Sequence, residues 1–430
     1  MAKLFNKVQN KKSKDDNTFH IIFAPVLALA QVFGVLPITG IFSRNIKNIK
    51  FKFLSFRTFH TSLWLVGAFI FQILEVHRMA YEEKINAKSI GGIAFYCVAI
   101  ASCVTFFRVA AKWNELLYSF EHIEAIFSKS CYTLSGWSLR KQINCATCLM
   151  MTFGAIEHSL SWFSFVYDRI IQAEICKWEI GSWFFYLATL HLVQIYKFLP
   201  VNVFTVIWAE YMNISFTFTW NFIDLFIMIM SFSIASKFKM INERLEHFKG
   251  KVVLDEFWDE VRYHYNKICE LNERVDNILG SLICIACLSD LYYVCLQLLN
   301  VATPLPFLVN KIYFWYSTVF LICRTSAMFL ISASINEESI KPLSVFRTIP
   351  SNGWTQEVQR FCNQIQNNGV ALSGKNFFFL TRSIVISIAG TILTYELVLL
   401  QFDGEKIVSI MFDPCETIAN NSAIQPLIQN

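Results

Sequence analysis

The sequence predicts an all-α membrane protein with seven transmembrane helices. Hydrophobic residues make up 55% of the 430 residues and charged residues only 16%, with a mean hydropathy of +0.43, whereas a soluble domain has about 25% charged residues. Seven apolar stretches have the bilayer-crossing length of about 20 residues; they lie near 56–79, 89–110, 143–167, 212–236, 276–300, 311–334 and 381–402. Polar side chains recur along one face of the last stretch, which predicts a water-lined path.

The distribution of basic residues predicts the orientation of these spans. Residues 1–57 contain ten Lys and Arg against two Asp, which places the N-terminus in the cytoplasm. With seven spans, the cytoplasmic segments hold 27 of the 37 basic residues, and the C-terminus is extracellular. Counting either 21–41 or 181–209 as a further span would move basic clusters outside. Both stretches are therefore interpreted as interfacial or partly inserted.

The predicted extracellular segments contain candidates for covalent modification. Asn213 at the outer mouth of the fourth span and Asn420 in the tail begin glycosylation tripeptides. Among the 13 cysteines, only Cys176 and Cys415 fall outside, so they are the candidates for a disulfide. The two CxxC pairs lie within apolar helices without neighbouring ligands, which predicts no metal site.

The segment that joins the fourth and fifth spans has the pattern of a cytoplasmic helical hairpin. Apolar residues recur at helical spacing on both sides of Gly250, the natural position of the turn. Such a hairpin has an apolar face to bury, which suggests packing against other cytoplasmic helices or subunits.

Polar and aromatic residues share helical faces in the outer halves of several spans. They are Gln72, Glu75, Glu157, His158, Ser161, Trp162, Asp290, Tyr293, Gln297, Trp315 and Tyr316. Carboxylates and amides beside aromatic rings suit a polyhydroxylated ligand, because hydroxyls take hydrogen bonds while the C–H faces of a sugar stack on rings. The alternative is contacts between helices together with an aromatic interface belt.

The last span carries the polar stripe. At about 100° per residue, one arc of roughly 80° contains Ser383, Ser387, Thr391, Thr394, Val398 and Gln401. Phe402 sits at the edge of this arc and Glu396 lies opposite it. The alternative to a water-lined path is hydroxyl contacts between packed helices.

Arg324 lies in the middle of the sixth span and needs an acidic partner. Asp224 or Asp290 is closer in depth than Glu396, which favours a structural salt bridge. The sequence has no hydrolase, zinc-protease, P-loop or dinucleotide motif. We therefore predict neither an enzyme nor a cofactor. The basic residues lie beside apolar segments rather than in one patch, so nucleic acid is not a predicted partner.

Several motifs resemble one family of receptors. Thr394-Tyr395, five residues and then Gln401-Phe402 resemble the signature of insect gustatory receptors, and Glu396 after the tyrosine resembles the sugar-receptor branch. Further similar segments begin at Gln31, Trp220, Leu288, Tyr313, Arg324 and Trp354. The resemblance covers nearly the whole chain.

The resemblance implies a sugar-gated, non-selective cation channel in the plasma membrane of chemosensory neurons. It implies a tetramer, either a homotetramer or a heteromer with other sugar gustatory receptors. The last helix of each subunit would line a central pore, with Gln401 and Phe402 as the gate. The sugar pocket would lie apart from the pore, in the outer halves of the helices. A G-protein-coupled-type chemoreceptor and a sugar transporter remain the alternative functions; the predicted cytoplasmic N-terminus disfavours the first, and the absence of an internal repeat the second.

These expectations divide the chain into seven regions. They are a cytoplasmic arm with an interfacial segment (1–55), helices 1–4 with the ligand site (56–236), an anchor hairpin (237–275), helices 5 and 6 (276–334), a second anchor segment (335–380), the pore helix (381–402) and an extracellular tail (403–430).

Overall fold

The structure is a computed structural model that describes residues 18–81, 87–130, 132, 135–302, 305–388, 390, 391, 394, 428 and 429. Its helices are α1 (Phe19–Val32), α2 (Phe56–Tyr81), α3 (Ala87–Lys129), α4 (Leu139–Ile175), α5 (Trp183–His191), α6 (Val193–Tyr196), α7 (Val203–Glu246), α8 (Asp255–Leu299), α9 (Leu308–Ile340), α10 (Pro342–Phe346) and α11 (Gln356–Asn367). Two short antiparallel pairs join β1 (Ile38–Thr39) to β2 (Lys50–Phe51) and β3 (Glu179–Ile180) to β4 (Ile428–Gln429).

Long apolar helices dominate the described part of the chain. Five of them, α2, α3, α7, α8 and α9, are long and apolar enough to cross a bilayer. The protein is therefore an all-α, multi-pass membrane protein. The third predicted span, 143–167, lies within α4, which has 37 residues. Glu157, His158 and Asp168 interrupt the apolar sequence of this helix. The predicted span 381–402 lies partly outside the described residues, so the total of seven stays a prediction.

Helix α7 forms the centre of the bundle. Of its most apolar 18-residue window, 89% is buried inside the protein, against 33–44% in the other four helices. It packs against α4, α8 and α9, while α3 packs against both α2 and α8. A helix that is apolar on all sides is typical of a core position, and this position brings the polar residues of α7 next to three other helices.

The first apolar stretch forms α1, which packs into the bundle. Its 14 residues span about 21 Å, less than the roughly 30 Å of hydrocarbon. Phe19 stacks on Phe120 with ring centroids 4.1 Å apart, and Phe23 contacts Trp113 and Phe226. The stretch is therefore too short to be a further span.

The predicted helical hairpin is present as continuations of α7 and α8. Gly250 takes a positive φ of +71° at the turn, a conformation that glycine adopts without a steric penalty. Arg244 donates two hydrogen bonds to the carboxylate of Glu260 across the hairpin, at 2.9 and 3.0 Å. The buried Trp258 packs against Phe346 of α10, so the apolar face of the hairpin is covered within the same chain.

Helix α7 extends beyond the predicted fourth span and contains Asn213. Helix α7 starts at Val203, earlier than the predicted start of the fourth span at 212, because Asn202 caps it and Thr205 returns the capping hydrogen bond. Asn213 therefore lies within the helix, and the fully buried hydroxyl of Ser215 donates to the Tyr211 carbonyl. Glycosylation of the half-buried Asn213 stays a prediction. Asn420 lies outside the described residues.

Cys176 caps the C-terminal end of α4, and its sulfur forms a disulfide. Cys415, the partner predicted for it, lies outside the described residues.

Candidate functional site

A buried charge cluster lies where α7, α8 and α9 meet. The Nε of Arg324 lies 2.8 Å from the Asp224 Oδ2, and its Nη2 lies 3.0 Å from the Asp290 Oδ1. Its Nη1 donates to the Asn221 Oδ1 at 2.7 Å. All three charged side chains are at most 1% exposed. The predicted pairing of Arg324 is present, with both aspartates rather than with one.

The Trp220 ring lies against the planar face of the Arg324 guanidinium, and the Tyr293 ring packs beside Trp220. The Arg324 guanidinium carbon lies 4.2 Å from the ring centroid of Trp220, a cation–π contact. The ring of Tyr293 lies 4.9 Å from that of Trp220, and its hydroxyl donates to the Gly91 carbonyl at 3.1 Å. The site prediction did not include Trp220, although its spacing of four residues from Asp224 places both on one helical face.

A second polar group, the outer network, connects α4, α8 and α9. The Ser317 hydroxyl donates to the Glu157 Oε1 at 2.9 Å, and the Gln297 Nε2 donates to Ser317 at 3.5 Å. Ser317 precedes Arg324 by seven residues of helix, which is about 10 Å. The Tyr313 side chain lies close to both Ser161 and Ser317. The structure therefore brings together the predicted residues Glu157, Ser161 and Gln297.

Four buried polar atoms on α4, α7 and α9 have no hydrogen-bond partner in the part of the chain that the structure describes. Among the described residues, no hydrogen bond reaches the His158 Nε2, the Trp220 Nε1, the Asp168 Oδ1 or the Asn310 Oδ1. The other atoms of the last two residues do pair, since the Asn310 Nδ2 donates to the Asp168 Oδ2 at 2.8 Å. Buried polar atoms in native proteins almost always have a partner. These four atoms are therefore free to bind a hydroxylated ligand or water.

The predicted residues His158 and Trp162 lie on a different side of α4. The ring of Trp162 lies 4.5 Å from that of His191, whose Nδ1 lies 3.0 Å from the Glu210 Oε1. Trp162 therefore packs beside α5 and α7 rather than beside Glu157. The five-residue step from Glu157 to Trp162 turns the helix by about 140°, which accounts for the separation.

The prediction that Trp315 faces the site is wrong. Its side chain is 53% exposed, and Ser317, two residues further, points into the bundle because two residues turn a helix by about 200°. The side chain of Tyr316 points between those of Trp315 and Ser317, and its hydroxyl donates to the Phe153 carbonyl of α4 at 3.1 Å. The exposed face of Trp315 is suited to lipid contact.

Gln72 and Glu75 lie on α2, where Glu75 packs against α3. The buried Glu75 carboxylate accepts from the Arg78 guanidinium at 2.5 Å. A Cβ added to Gly92 would lie 2.4 Å from the Glu75 Oε1, so glycine allows α3 this close approach. Glu75 therefore contacts Arg78 and α3 rather than the outer network.

A cavity of about 330 Å³ lies between α1, α4 and α7, within the size range of ligand pockets. Its polar lining residues are His158, Ser159, Thr217 and Asn221, and the others are apolar. Asn221 connects this cavity to the charge cluster, since its Oδ1 accepts from Arg324.

Part of the predicted pore face is described. Residues 382–388 are helical, and the side chains of Ser387, Thr391 and Thr394 are exposed on the single chain. Thr391 and Thr394 each donate to the carbonyl four residues earlier, at 2.9 Å. Tyr395, Glu396, Val398, Gln401 and Phe402 lie outside the described residues.

The described helices form a long-helix membrane bundle with a buried charge cluster. The fold is similar to that of the insect olfactory receptor OR5 from Machilis hrabei, solved in complex with eugenol: the TM-score is 0.61 at 15% identity, over 92% of this chain and 99% of that chain.

Sequence comparisons define the branch. The family model described as trehalose receptor matches residues 1–411. The chain is 36% identical to the gustatory receptor for sugar taste 64a of Drosophila melanogaster, over 90% of this chain and 84% of the relative. It is 28% identical to the D. melanogaster gustatory receptor 5a for trehalose, over 91% and 86%. The chain belongs to the sugar-receptor branch of the insect gustatory receptors.

Proposed function

We propose that this chain is a sugar-gated, non-selective cation channel in the plasma membrane of a chemosensory neuron. The names of its relatives refer to sugar taste and to trehalose, which supports a sugar as the ligand. In this proposal the N-terminus is cytoplasmic, the C-terminus is extracellular and seven helices cross the membrane. The distribution of the 37 basic residues supports this orientation.

The proposed sugar site is the outer network between α4, α8 and α9. The single observation that carries it is the Asp168–Asn310 contact, which joins the same helices α4 and α9 and leaves a buried oxygen of each residue without a partner among the described residues. A pyranose offers several hydroxyls, each of which donates one hydrogen bond and accepts others. The carboxylate of Glu157 would accept from a hydroxyl, while the amide of Gln297 would donate to one. The ring of Tyr313 would pack on an apolar sugar face.

The Asp290 carboxylate is assigned a supporting role in this site. The sequence pattern predicted Asp290 as a sugar-binding residue, but its side chain is fully buried and its Oδ1 pairs with Arg324. Releasing it to a sugar would leave the guanidinium partly unpaired, which is costly in a buried site. We propose that the cluster fixes the relative positions of α7, α8 and α9, and so the width of the sugar site.

The proposed channel is a tetramer, either of this chain alone or with related sugar receptors. Its pore would be lined by the polar stripe of the final helix. Exposed hydroxyls on a helix of predominantly apolar residues support a position facing water or other subunits rather than lipid. Widening this pore requires a sugar that binds the open state more tightly than the closed state.

A current recording tests the proposal. Cells expressing this chain alone are exposed to a panel of mono- and disaccharides, and membrane patches are then excised into a solution without cytosol. We expect sugar-evoked cation current in both configurations. Current that disappears on excision would indicate a G-protein-coupled pathway. Sugar uptake without a channel current would indicate a transporter.

A further inference from the structure

The segment before the final helix forms a tight turn, here named the pre-pore hairpin (residues 370–381). The Leu380 N–H donates to the Leu372 carbonyl at 2.8 Å, and the Gly374 N–H donates to the Phe378 carbonyl at 3.0 Å. Leu372 and Leu380 are fully buried. The hairpin is therefore anchored in the protein, and the final helix follows it directly.

Helix α8 holds the hairpin through one of its faces. Asn272, Asp276 and Gly280 are spaced by four residues and so share that face. The Asp276 carboxylate accepts from the backbone N–H of Ser373 and, at 2.7 Å, from its hydroxyl. The Asn272 Nδ2 donates to the Ala371 carbonyl at 3.0 Å. A Cβ added to Gly280 would lie 3.2 Å from the backbone nitrogen of Lys375, so the glycine lets the two backbones approach closely.

Helix α9 contacts the other side of the pre-pore hairpin. The Asn336 Nδ2 donates to the Val370 carbonyl at 3.2 Å. The next residue, Glu337, forms an ion pair with Arg382, the first helical residue after the hairpin. The hairpin and the start of the final helix are thus bound to both α8 and α9.

The same two helices carry the outer network at their other ends. Gln297 precedes the end of α8 by two residues and lies 21 residues from Asp276, about 31 Å along the helix. On α9, Ser317 and Glu337 are 20 residues apart, about 30 Å. Both helices are continuous between these points. A displacement of α8 relative to α9 at the outer network would therefore move the two sides of the hairpin relative to each other.

We propose that the pre-pore hairpin couples the sugar site to the pore, and that Asp276 and the Glu337–Arg382 ion pair are its coupling contacts. This inference rests on the proposed function. A sugar between α8 and α9 changes their relative position, and the contacts of Asp276 and Glu337 transfer this change to the first turn of the final helix. These residues are positioning residues, since they lie about 30 Å along α8 and α9 from the outer network.

Charge reversal across the ion pair provides the test. Glu337→Arg and Arg382→Glu are made singly and together, and the maximal sugar-evoked current is divided by the amount of protein at the cell surface. Each single variant is expected to reduce this current about fivefold, the upper range for one exposed pair. The double variant restores the attraction and is expected to recover current to within about twofold of the original. Glu337→Gln removes the attraction without adding repulsion and is expected to give a smaller loss.

A matched control uses another exposed ion pair. Glu246 and Lys249 form a pair at 3.4 Å near the turn of the helical hairpin, away from the pre-pore hairpin. Glu246→Arg is expected to leave the normalised current unchanged. A similar loss in this control would mean that the effect of charge reversal is not specific to the coupling contacts and would overturn the inference.

Binding is measured separately, as the sugar-dependent rise in melting temperature of the purified full-length protein. Asp276→Asn is expected to keep this rise while losing about tenfold of the maximal current, because a hydrogen bond to a charged group is replaced by a weaker one. Full current in Asp276→Asn, or a double charge reversal without recovery, would overturn the coupling alone. A wild-type channel that gives no sugar-evoked current would overturn the proposed function and with it the coupling.

Discussion

The guanidinium of Arg324 on α9 lies 3.0 Å from the carboxylate of Asp290 on α8, and both side chains are at most 1% exposed. Such a pair is stable only when its hydrogen bonds are complete, because the isolated charges are costly to bury. Asp224 and Asn221 provide further polar contacts to the guanidinium, and the Trp220 ring covers its face. These contacts of Arg324 connect α7, α8 and α9 beside the proposed sugar site.

Removing the arginine is expected to prevent stable folding. Arg324→Ala leaves two buried carboxylates without their cation, at a cost of about 3–5 kcal/mol. Arg324→Lys is also expected to fail, because an ammonium group lacks the planar fork that reaches both carboxylates and Asn221. Surface labelling measures the outcome. Arg360→Ala, which removes an exposed arginine of α11, serves as the control, and equal surface levels in all variants would refute the structural role.

Neutralising the carboxylate of the outer network is expected to weaken the sugar response. Glu157→Gln replaces an acceptor with two oxygens by an amide, and a hydrogen bond to a charged group is worth about 1.5–3 kcal/mol. The sugar dose–response curve should shift about tenfold or more at normal surface expression. Glu174→Gln changes an exposed carboxylate on the same helix and should leave the curve in place. Identical curves for both variants would remove Glu157 from the sugar site.

Gln297→Leu tests the amide of the same network. Leucine keeps much of the volume of the side chain and removes its donor and acceptor, so the Ser317 hydroxyl loses the contact at 3.5 Å. We expect a weaker response to sugar with unchanged ion selectivity, because the proposed function assigns this residue to the sugar site and not to the pore. An altered permeation ratio instead of an altered dose–response curve would place Gln297 near the ion path.

The two tryptophans of this region are expected to behave differently. Trp220→Phe weakens the cation–π contact with Arg324 and removes an indole N–H that has no partner among the described residues. It should lower the sugar response or the surface level. Trp315→Phe changes a side chain that is largely exposed and should have no effect on either. A loss confined to Trp315→Phe would reverse this assignment.

The gate prediction concerns Gln401 and Phe402, which lie outside the described residues. In a symmetric tetramer, four phenylalanines form a ring that can close a narrow pore by dewetting, while four amides solvate cations once the ring widens. Phe402→Ala is expected to raise the current without sugar. Gln401→Ala is expected to change conductance or ion selectivity. Silent resting channels together with unchanged permeation ratios, at normal surface levels, would place the gate elsewhere.

The sequence by itself determined the class of the molecule and its family. Apolar length identifies membrane helices because the bilayer has a fixed thickness. The same periodicity predicted the hairpin around Gly250, which the structure contains. A buried arginine requires an acid, so the pairing of Arg324 with Asp224 or Asp290 followed from its position in an apolar helix. The signature that begins at Thr394 predicted the family, and the comparisons confirmed it.

Only the tertiary structure decided which faces meet. Residues one or two positions apart, such as Glu157 and His158 or Trp315 and Ser317, point to different neighbours, and the azimuth of a helix in its bundle depends on packing that its own sequence does not specify. For this reason Trp220 contacts Arg324 in the charge cluster, whereas Trp315 lies on the exposed side of α9. The Asp276–Ser373 contact joins residues 97 positions apart, and such a long-range pairing arises only from the path of the folded chain.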